Sequence, residues 1–278
     1  MNETALTVLI PCKDEQKNIR ACIESARPIA DEILIADSGS TDQTLEIVKR
    51  IGGCRVIERE YIHSGDFKNW AIPQATHNWV LLLDADERVT PQLGDEIRET
   101  LNHSGNRLGY WIYRANHFMG HPVRHGVWSS DKVLRLFRRD QARYVGDNDH
   151  AEIVLPPSLV GFLRARITHY SYWSYDEYFQ RFHRYTTYQA TNWQRAGKQP
   201  SRWQMLLRVP SRFLYSYIAR RGFLDGLPGL QVAMLDGFYS FMKQARLWEL
   251  TSARQQAIIE ETSEQRNSVE SKAKQRAA

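Results

Sequence analysis

Short apolar runs alternate with amphipathic stretches of helical length through the first hundred residues of the chain. The runs at residues 7–10, 32–36, 55–57 and 79–83 have the length of β-strands, and the segments between them repeat apolar residues every three or four positions. This alternation is typical of a parallel sheet whose strands are joined by crossover helices. Residues 79–83 are apolar throughout, which indicates a central strand buried on both faces. The pattern therefore predicts an α/β domain.

Two prolines limit these elements. Pro11 follows the first apolar run, and we expect it to end that strand. Pro73 lies inside a predicted helix over residues 67–75, where it removes a backbone donor and clashes with the preceding turn. We expect that helix to kink or to stop early.

The pattern changes in the second half of the chain. From residue 110 to about 167 aromatic strands are mixed with loops, and beyond residue 175 the apolar positions follow helical spacing. The last segment is polar and rich in Ala, Gln, Glu and Lys, which is typical of a helix that frays into a disordered tail. We predict one domain over residues 1–172 that divides near residue 105, a helical region over 173–250 and a tail over 251–278.

The charge of the chain is modest overall but uneven. The 278 residues carry a net charge of +5, whereas residues 161–250 alone hold 13 Lys and Arg against 5 Asp and Glu. The aromatic residues are concentrated in the same part of the chain. Basic and aromatic surface suits an anionic lipid interface or a nucleic acid, and composition does not separate these two partners.

The cysteines and the N-terminus bear on the compartment. Cys12, Cys22 and Cys54 form neither a disulfide framework nor a zinc-type spacing. The N-terminus lacks the pattern of a signal peptide, and no apolar run approaches the roughly 18 residues that a membrane span needs. We expect a cytoplasmic protein that is neither exported nor membrane-spanning.

Two carboxylates, Asp84 and Asp86, follow the apolar run at 79–83. In open α/β sheets ligands bind outside the carboxyl ends of the strands, where residues 11–15 and 37–42 are also expected. On an extended strand Asp84 and Asp86 would share one side, so that both could approach a hard cation such as Mg²⁺ or Mn²⁺. Taken alone, the pair is equally well explained as a solvated strand end with helix-capping acids.

Two further residues, Asp37 and Lys68, could contribute to the same site as this acidic pair. Asp37 opens a loop whose amides and carboxylates could hold a ribose or a base, although an N-cap with a tight turn also explains it. Lys68 lies near a predicted helix start, where its charge could reach an anionic ligand, although an ordinary surface lysine is the simpler explanation. Together, three polar loops are expected to converge on one crevice.

In their order and spacing these segments resemble glycosyltransferase family 2. The resemblance rests on Ile10-Pro11-Cys12-Lys13-Asp14-Glu15, Ala36-Asp37-Ser38-Gly39-Ser40-Thr41-Asp42, Lys68 and Leu83-Asp84-Ala85-Asp86-Glu87. It implies a GT-A fold, with a mixed, mostly parallel sheet flanked by helices and a C-terminal helical appendage. It also implies a nucleotide-diphospho-sugar donor, a divalent metal and inversion at the anomeric carbon. The donor would be bound in the half before residue 105, by Pro11, Glu15, Asp37, Asp42, Lys68 and Asp84, and the metal by Asp86, assisted by Asp84.

Segments of the second half resemble the lipopolysaccharide core glucosyltransferases that act on heptose. These segments are residues 116–120, 126–131, 135–139, 169–172 and 221–226, and the likeness covers roughly residues 5–250. It implies a hexosyltransferase that moves glucose from UDP-glucose onto a lipid-linked saccharide, the heptose of the inner core. Such an enzyme works as a peripheral protein on the cytoplasmic face of the bacterial inner membrane. In the acceptor half, about 106–172, we expect contacts from Trp128, Asp131 and Arg135.

An inverting transfer needs a general base for the acceptor hydroxyl. Related enzymes show adjacent His and Glu, whereas here Ala151 separates His150 from Glu152. On a strand those two side chains would share a face, so Glu152 is our candidate base and Asp149 the second choice. His150 is a candidate metal ligand or acceptor contact, although a hydrogen-bonded buried histidine also explains it.

The helical region carries the expectation about the membrane. After Pro210, apolar residues recur at helical spacing, and the arginines at positions 208, 212, 220 and 221 are available for lipid headgroups. Docking of the same stripe on the catalytic domain explains it equally well.

Other functions remain open at this stage. A transferase acting on polyprenyl phosphate or on another surface polysaccharide would show the same donor site. A nucleic-acid-binding protein would use the basic, aromatic half, but three acidic loops would repel phosphates unless they hold a metal, so we expect no nucleic acid partner. A nicotinamide-dependent dehydrogenase is disfavoured because no G-x-G-x-x-G follows the first strand.

Overall fold

The computed structural model describes residues 4–146 and 151–277, with side chains described up to residue 253. The strands in this part of the chain are β1 (Leu6–Cys12), β2 (Glu32–Asp37), β3 (Arg55–Glu58), β4 (Trp79–Leu82), β5 (Glu87–Arg88), β6 (Gly109–Phe118), β7 (His121–Pro122), β8 (Lys132–Arg138), β9 (Tyr144–Val145), β10 (Glu152–Ile153) and β11 (Val160–Tyr172). The α-helices are α1 (Ile19–Ala26), α2 (Thr44–Ile51), α3 (Ser64–Ala71), α4 (Pro91–Asn102), α5 (Tyr175–Arg195), α6 (Arg202–Leu214) and α7 (Gly226–Ala277).

The first four strands form a parallel sheet in the order β3-β2-β1-β4. Side chains of β1 and β4 alternate between two apolar clusters, with Val8 and Leu81 in one and Leu9 and Leu82 in the other. The alternation shows that this part of the sheet is buried on both faces, as the continuous apolar run of β4 indicates. Because these strands are parallel, the carboxyl ends of β1, β2 and β4 meet at one edge of the sheet.

The second half of the sheet is antiparallel where its pairing is described. From β4 the order continues β8-β6-β11-β5, with β7 beside β6. The pairs β4 with β8, β6 with β8, β6 with β7 and β11 with β5 all run antiparallel. The predicted mixed sheet, flanked by helices and followed by a helical region, is confirmed.

The prolines act differently from each other. Helix α3 ends at Ala71 and a 3₁₀ turn over Ile72–Gln74 contains Pro73, so the predicted early stop is confirmed. The expectation that Pro11 ends the first strand is wrong, because β1 continues to Cys12. The carbonyl of Leu9 accepts a hydrogen bond from the segment that follows β4, and the carbonyl of Cys12 accepts one from the segment that follows β2. Backbone groups of alternate residues point to the same neighbouring strand, so the backbone of Pro11, like that of Leu9, faces β4. The pairing of β1 with β4 stops at Leu9, so the N–H that Pro11 lacks removes no hydrogen bond between these strands.

The chain divides into two compact units, which we call the sheet unit and the helical unit. The sheet unit comprises Met1–Arg124 and Trp128–Ser171, and the helical unit comprises His125–Val127 and Tyr172–Ala278.

Within the helical unit, α5 and α6 both pack on α7. Arg212 of α6 donates two hydrogen bonds of 2.9 Å to Asp236 of α7, and the rings of Phe182 and Phe238 stack at 5.3 Å. Among the described residues no helix combines the length and the apolar character needed to cross a bilayer.

Candidate functional site

The loops after β1 and β2 are joined through Asp14. This residue adopts a left-handed backbone conformation (φ +53°) that lets its carboxylate reach back to the second loop. Its Oδ1 accepts the N–H groups of Thr41 at 2.7 Å and Asp42 at 3.3 Å, and its own N–H donates to Ser40 Oγ at 3.0 Å. Asp14 thus contributes three of the hydrogen bonds that hold together the two loops expected to bind the nucleotide.

Asp37 closes the second loop on itself. Its side chain is fully buried, and its Oδ2 accepts the N–H groups of Gly39 and Ser40 at 2.8 Å each. Gly39 has φ +88°, which a residue with a side chain rarely adopts. The carboxylate therefore forms the tight turn that capping preferences suggest, and it determines the shape of the loop. A direct contact with a donor stays a prediction.

Asp42 and Glu15 connect the same loops to α1 and α2. Asp42 Oδ1 accepts the N–H of Thr44 at 2.9 Å, and its Oδ2 that of Gln16 at 3.1 Å. Burial opposes ionisation, but the hydrogen bond from the Thr44 hydroxyl, together with these two backbone bonds, outweighs it and lowers the pKa of Asp42. Glu15 accepts from Asn18 Nδ2 at 2.8 Å, and its N–H donates to Thr44 Oγ1 at 2.8 Å. Half-buried Pro11 precedes them on β1.

The acidic pair lies on a turn. Strand β4 ends at Leu82, and the N–H of Glu87 then donates to the carbonyl of Asp84 at 2.8 Å. The N–H of Asp84 donates in return to Glu87 Oε2 at 3.0 Å. The expectation that Asp84 and Asp86 share one side of an extended strand is wrong, because the turn gives each carboxylate different partners.

Asp84 is surrounded by three cations. Lys68 Nζ lies 3.7 Å from its carboxylate and Arg114 Nη2 3.5 Å, and Arg135 donates a hydrogen bond to it. Burial would raise the pKa of Asp84, but the charges of Arg135, Lys68 and Arg114 outweigh it and hold the pKa well below its usual range. Asp84 is therefore ionised and already neutralised by protein groups.

Glu87 completes this cluster from the sheet interior. It is fully buried, and its Oε1 lies 2.7 Å from Arg114 Nη2 and 2.9 Å from Arg135 Nη2. Burial lowers the pKa of each guanidinium, but the two carboxylates outweigh it, so that the pKa of both arginines is raised. Neither Glu87 nor Arg114 was among the residues predicted from the sequence.

The three predicted acceptor residues are found around this cluster. Arg135 on β8 is only 4% exposed and is engaged by Asp84 and Glu87, so its guanidinium is not presented to a ligand. Asp131 Oδ2 lies 3.5 Å from Arg114 Nη1 and accepts from Asn116 Nδ2 at 3.3 Å. The carbonyl of Trp128 accepts from the same amide at 3.1 Å. Asp131 and Trp128 thus position Asn116.

Asp86 faces a histidine from a distant strand. It is 7% exposed, and its Oδ2 lies 3.7 Å from Nε2 of His169 on β11. The other ring nitrogen of His169, Nδ1, lies 2.6 Å from Asn116 Oδ1. Both residues lie in segments that resemble the lipopolysaccharide core enzymes, but the sequence alone predicted no role for either of them. The one sequence feature that could have indicated a role is the presence of a histidine and an amide in those segments.

Hydrogen-bond logic assigns the proton on His169. A carbonyl accepts only, so the bond to Trp128 identifies the Asn116 nitrogen, and the opposite atom is the amide oxygen. That oxygen lies 2.6 Å from Nδ1 of His169, too close for two acceptors, so Nδ1 carries the hydrogen, and Ser171 Oγ donates to the same oxygen at 3.5 Å. In the neutral ring Nε2 then turns a lone pair toward the Asp86 carboxylate.

Two lone-pair donors that face each other at 3.7 Å suit a shared divalent cation. A metal-binding histidine usually donates its other N–H to an oxygen acceptor, as His169 does to Asn116. Among the described residues no group of three or more His, Cys, Asp or Glu side chains converges into a metal site. Asp86 and His169 therefore fit as two of the ligands of a divalent cation.

The predicted base lies on a separate hairpin. Glu152 is exposed on β10, which pairs with β9, and it makes no side-chain hydrogen bond or ion pair with a described residue. The hairpin packs on α3, because Asn69 exchanges hydrogen bonds of 2.8 and 2.9 Å with the backbone of Tyr144. The Lys68 ammonium lies 5.2 Å from the centre of the Tyr144 ring. Asp149 and His150 lie outside the described residues.

Comparison with protein families decides the class of this site. The sequence profile described as Glycosyl transferase family 2 matches residues 7–148, slightly more than half of the chain. The chain belongs to glycosyltransferase family 2. The matched segment contains the loops after β1 and β2, Lys68 and the acidic turn, and it ends before His169.

Relatives of this glycosyltransferase align beyond the family segment. The lipopolysaccharide core biosynthesis glycosyltransferase LpsC of Rhizobium meliloti is 28% identical over 249 residues, 88% of this chain and 92% of LpsC. An uncharacterized glycosyltransferase of Rickettsia typhi is 27% identical over 256 residues, 88% of this chain and 87% of the relative. Among solved structures, glucosyl-3-phosphoglycerate synthase from Mycobacterium tuberculosis, with Mn²⁺, UDP and product, matches 71% of this chain and 81% of its own at 17% identity and a TM-score of 0.47.

Proposed function

We propose that this glycosyltransferase is a metal-dependent hexosyltransferase that moves glucose from UDP-glucose onto a lipid-linked saccharide, the heptose of the lipopolysaccharide inner core. The observation that carries the donor side is the Asp86–His169 pair, with His169 oriented by Asn116. The acceptor class is supported by LpsC, which is named for lipopolysaccharide core biosynthesis and aligns over 88% of this chain.

The sheet edge at the carboxyl ends of β1, β2 and β4, which we call the donor edge, provides a rigid frame for the nucleotide. The Asp14 and Asp37 hydrogen bonds fix the two loops before any ligand arrives, so that little loop ordering is needed on binding. Asp86 and His169 would hold the divalent metal, which when bound supplies positive charge to the departing diphosphate. Lys68 lies at the same edge and adds a cation that faces this anionic group.

Asp84 has a different task in this proposal. Three cations neutralise it, so it serves to position Lys68, Arg114 and Arg135 rather than to supply an unpaired charge to the metal. When a diphosphate enters, Lys68 and Arg114 gain a second anion to contact, whereas Arg135 stays engaged by Asp84 and Glu87. The cluster thus holds positive charge in place at the point where the leaving group develops negative charge.

We propose Glu152 as the general base, on an exposed hairpin that packs against α3. A carboxylate there removes the proton from the acceptor hydroxyl as the new glycosidic bond forms. Glu152→Gln should lower kcat by about 10²-fold or more and leave donor binding unchanged. Near-normal turnover of that variant would assign the base to another residue.

Helix α6 is the proposed membrane-binding element. None of its residues is buried, and its apolar stripe is exposed, with Trp203 at 60%, Leu206 at 65% and Leu207 at 61%. Arg208 on the same helix makes no side-chain ion pair with a described residue, whereas Arg212 is bound to Asp236 and is not available for headgroups. An exposed apolar stripe with a free arginine suits an anionic bilayer surface.

The donor proposal is tested by thermal stabilisation with a panel of nucleotide sugars, with and without Mn²⁺. UDP-glucose should raise Tm in the presence of Mn²⁺ and much less in its absence, because a ligand that binds the native state shifts stability by mass action. Asp86→Asn and His169→Ala should each abolish the Mn²⁺-dependent part of the shift.

Asp95→Asn is the matched control, since Asp95 is an exposed aspartate of α4 outside the site. It should behave like the wild-type protein. Equal stabilisation of the Asp86 and His169 variants, or selection of another nucleotide, would disprove this assignment of the donor site.

A further inference from the structure

A second concave site lies in the sheet unit among β6, β7 and β11. Its volume is about 450 Å³, and its described lining includes Asn116, His117, Pro122, Arg124 and Arg166. None of the described lining residues comes from the loops after β1, β2 and β4. The cavity is therefore separate from the donor edge.

The described lining of this cavity contains two guanidinium groups and no carboxylate. The Arg124 side chain makes no hydrogen bond or ion pair with a described residue. Arg166 is oriented by the carbonyls of Arg114 and Ser129, to which Nη1 donates at 3.2 and 3.1 Å. A free guanidinium beside a fixed one is an arrangement suited to an oxyanion, because the planar group donates two parallel hydrogen bonds.

His117 adds a polar atom to the same wall. Its Nδ1 lies 3.1 Å from the Ala115 carbonyl and therefore donates, while its ring packs against Tyr170 at 4.9 Å between centroids. Burial lowers the pKa of His117, the hydrogen bond to the Ala115 carbonyl opposes this effect, and the charge of Arg124 adds to it. The neutral ring presents Nε2 as an acceptor, which suits a sugar hydroxyl.

One side chain connects this cavity to the proposed transfer site. Asn116 lines the cavity, and its Oδ1 accepts the hydrogen bond from Nδ1 of His169. His169 in turn faces Asp86 at 3.7 Å. A saccharide bound in the cavity thus lies next to the residues that would hold the metal and the donor diphosphate.

We propose that this cavity is an acceptor subsite for an oxyanion substituent, a phosphate or a carboxylate carried by the acceptor saccharide, which Arg124 and Arg166 bind. The proposal rests on the transferase function proposed above and narrows its acceptor to an anionic saccharide. Pairing of the anion with Arg124 would fix one end of the acceptor while a neighbouring hydroxyl reacts.

The test is a calorimetric titration of the full chain with inorganic phosphate and, separately, with acetate, at constant ionic strength. Arg124→Gln should weaken the binding of the preferred anion by about ten- to a hundredfold, as expected for loss of a charge-assisted hydrogen bond. The matched control is Arg164→Gln, since Arg164 is exposed on β11 and does not line the cavity. The control should bind like the wild-type protein. Tighter phosphate than acetate binding indicates a phosphate-bearing acceptor, and the reverse order a carboxylate-bearing one.

Three results would overturn the subsite: neither anion binds the wild-type protein, Arg164→Gln weakens binding as much as Arg124→Gln, or UDP displaces the anion. Displacement by UDP would show that the anion occupies the diphosphate position. UDP-glucose titrated alone separates the two proposals. Binding of phosphate without binding of any nucleotide sugar would refute the donor proposal and retain the anion site, and the opposite result would do the reverse.

Discussion

Helices α1 and α6 carry the same kind of apolar stripe and differ in what covers it. In α1 the apolar residues Ile19, Cys22, Ile23 and Ala26 are fully buried against the sheet. In α6 no residue is buried, and Trp203, Leu206 and Leu207 are more than half exposed. Burial of an apolar side chain contributes about 1.5–3 kcal/mol, so the stripe of α1 stabilises the sheet unit. The stripe of α6 would contribute such a free energy only when a binding partner buries it.

The charged groups of the two regions differ in the same way. In the sheet unit Arg135 is buried between two carboxylates, while Arg208 of α6 has no described ion-pair partner. The comparison shows that one amphipathic pattern serves either a core or a surface. It also indicates which substitutions should affect folding and which should affect only binding.

The largest contrast is expected between two arginines. Arg135→Met removes the cation from Asp84 and Glu87 and leaves buried negative charge, which should cost about 3–5 kcal/mol of unfolding free energy. Arg208→Met should change it by less than about 0.5 kcal/mol. Urea denaturation measures both values, and equal losses would show that the Asp84 cluster does not stabilise the fold.

The apolar stripes give the next contrast. Ile23→Ala opens a cavity under α1 and should lower the unfolding free energy by about 2–5 kcal/mol. Leu207→Ala on α6 should lower it by less than about 0.5 kcal/mol, since its side chain is 61% exposed. The same denaturation measurement applies. A large loss for Leu207→Ala would mean that the stripe is covered in solution.

A pH-dependent contrast follows from Glu32 at the start of β2. Its carboxylate accepts from Thr7 Oγ1 at 2.6 Å and from the N–H of Thr76 at 2.7 Å. Burial raises the pKa of Glu32, but these bonds and that from Arg55 outweigh it, so the pKa is lowered from its ordinary value of 4.5. Because the folded-state pKa is the lower one, the stabilisation is complete above 4.5 and is lost as the pH falls through the folded-state value.

Glu32→Gln should therefore destabilise the protein at pH 7 by about 1–3 kcal/mol, and the difference from wild type should shrink as the pH falls below 4.5. Glu249→Gln is the control in the helical unit, since Glu249 is exposed on α7. It should have little effect at either pH. A destabilisation of Glu32→Gln that is the same at all pH values would contradict the charge-dependent role.

The smallest free-energy change is expected for membrane binding. Here substitutions on α6 should have the effect, and substitutions in the sheet unit should have none. The double variant Leu206→Ser and Leu207→Ser should reduce flotation with phosphatidylglycerol-containing vesicles by about tenfold or more, because two apolar side chains no longer enter the interface. Ile62→Ser with Val154→Ser removes equally exposed apolar side chains from the sheet unit, at 66% and 69% exposure. This control should float like the wild type. Equal flotation of both double variants would discard α6 as the membrane-binding element.

Local patterns in the sequence determined the elements and the donor edge. The runs that predict β1, β2, β3 and β4 match the observed strands to within two residues at each end. The polar residues that follow β1, β2 and β4 were predictable at one edge of the sheet, because parallel strands place their carboxyl ends together. Turn and capping chemistry is local as well, and it accounts for Asp37 and for the stop before Pro73.

Only the tertiary structure decided which side chains meet across the sheet and which stripe remains uncovered. Asp86 and His169 are brought together by the antiparallel pairing of β5 with β11, and Glu87 meets Arg114 and Arg135 from β6 and β8. Such contacts join segments far apart in the chain, and the period of a single segment carries no information about its partner. The same limit applies to α6, whose apolar spacing predicts a stripe but not what covers it.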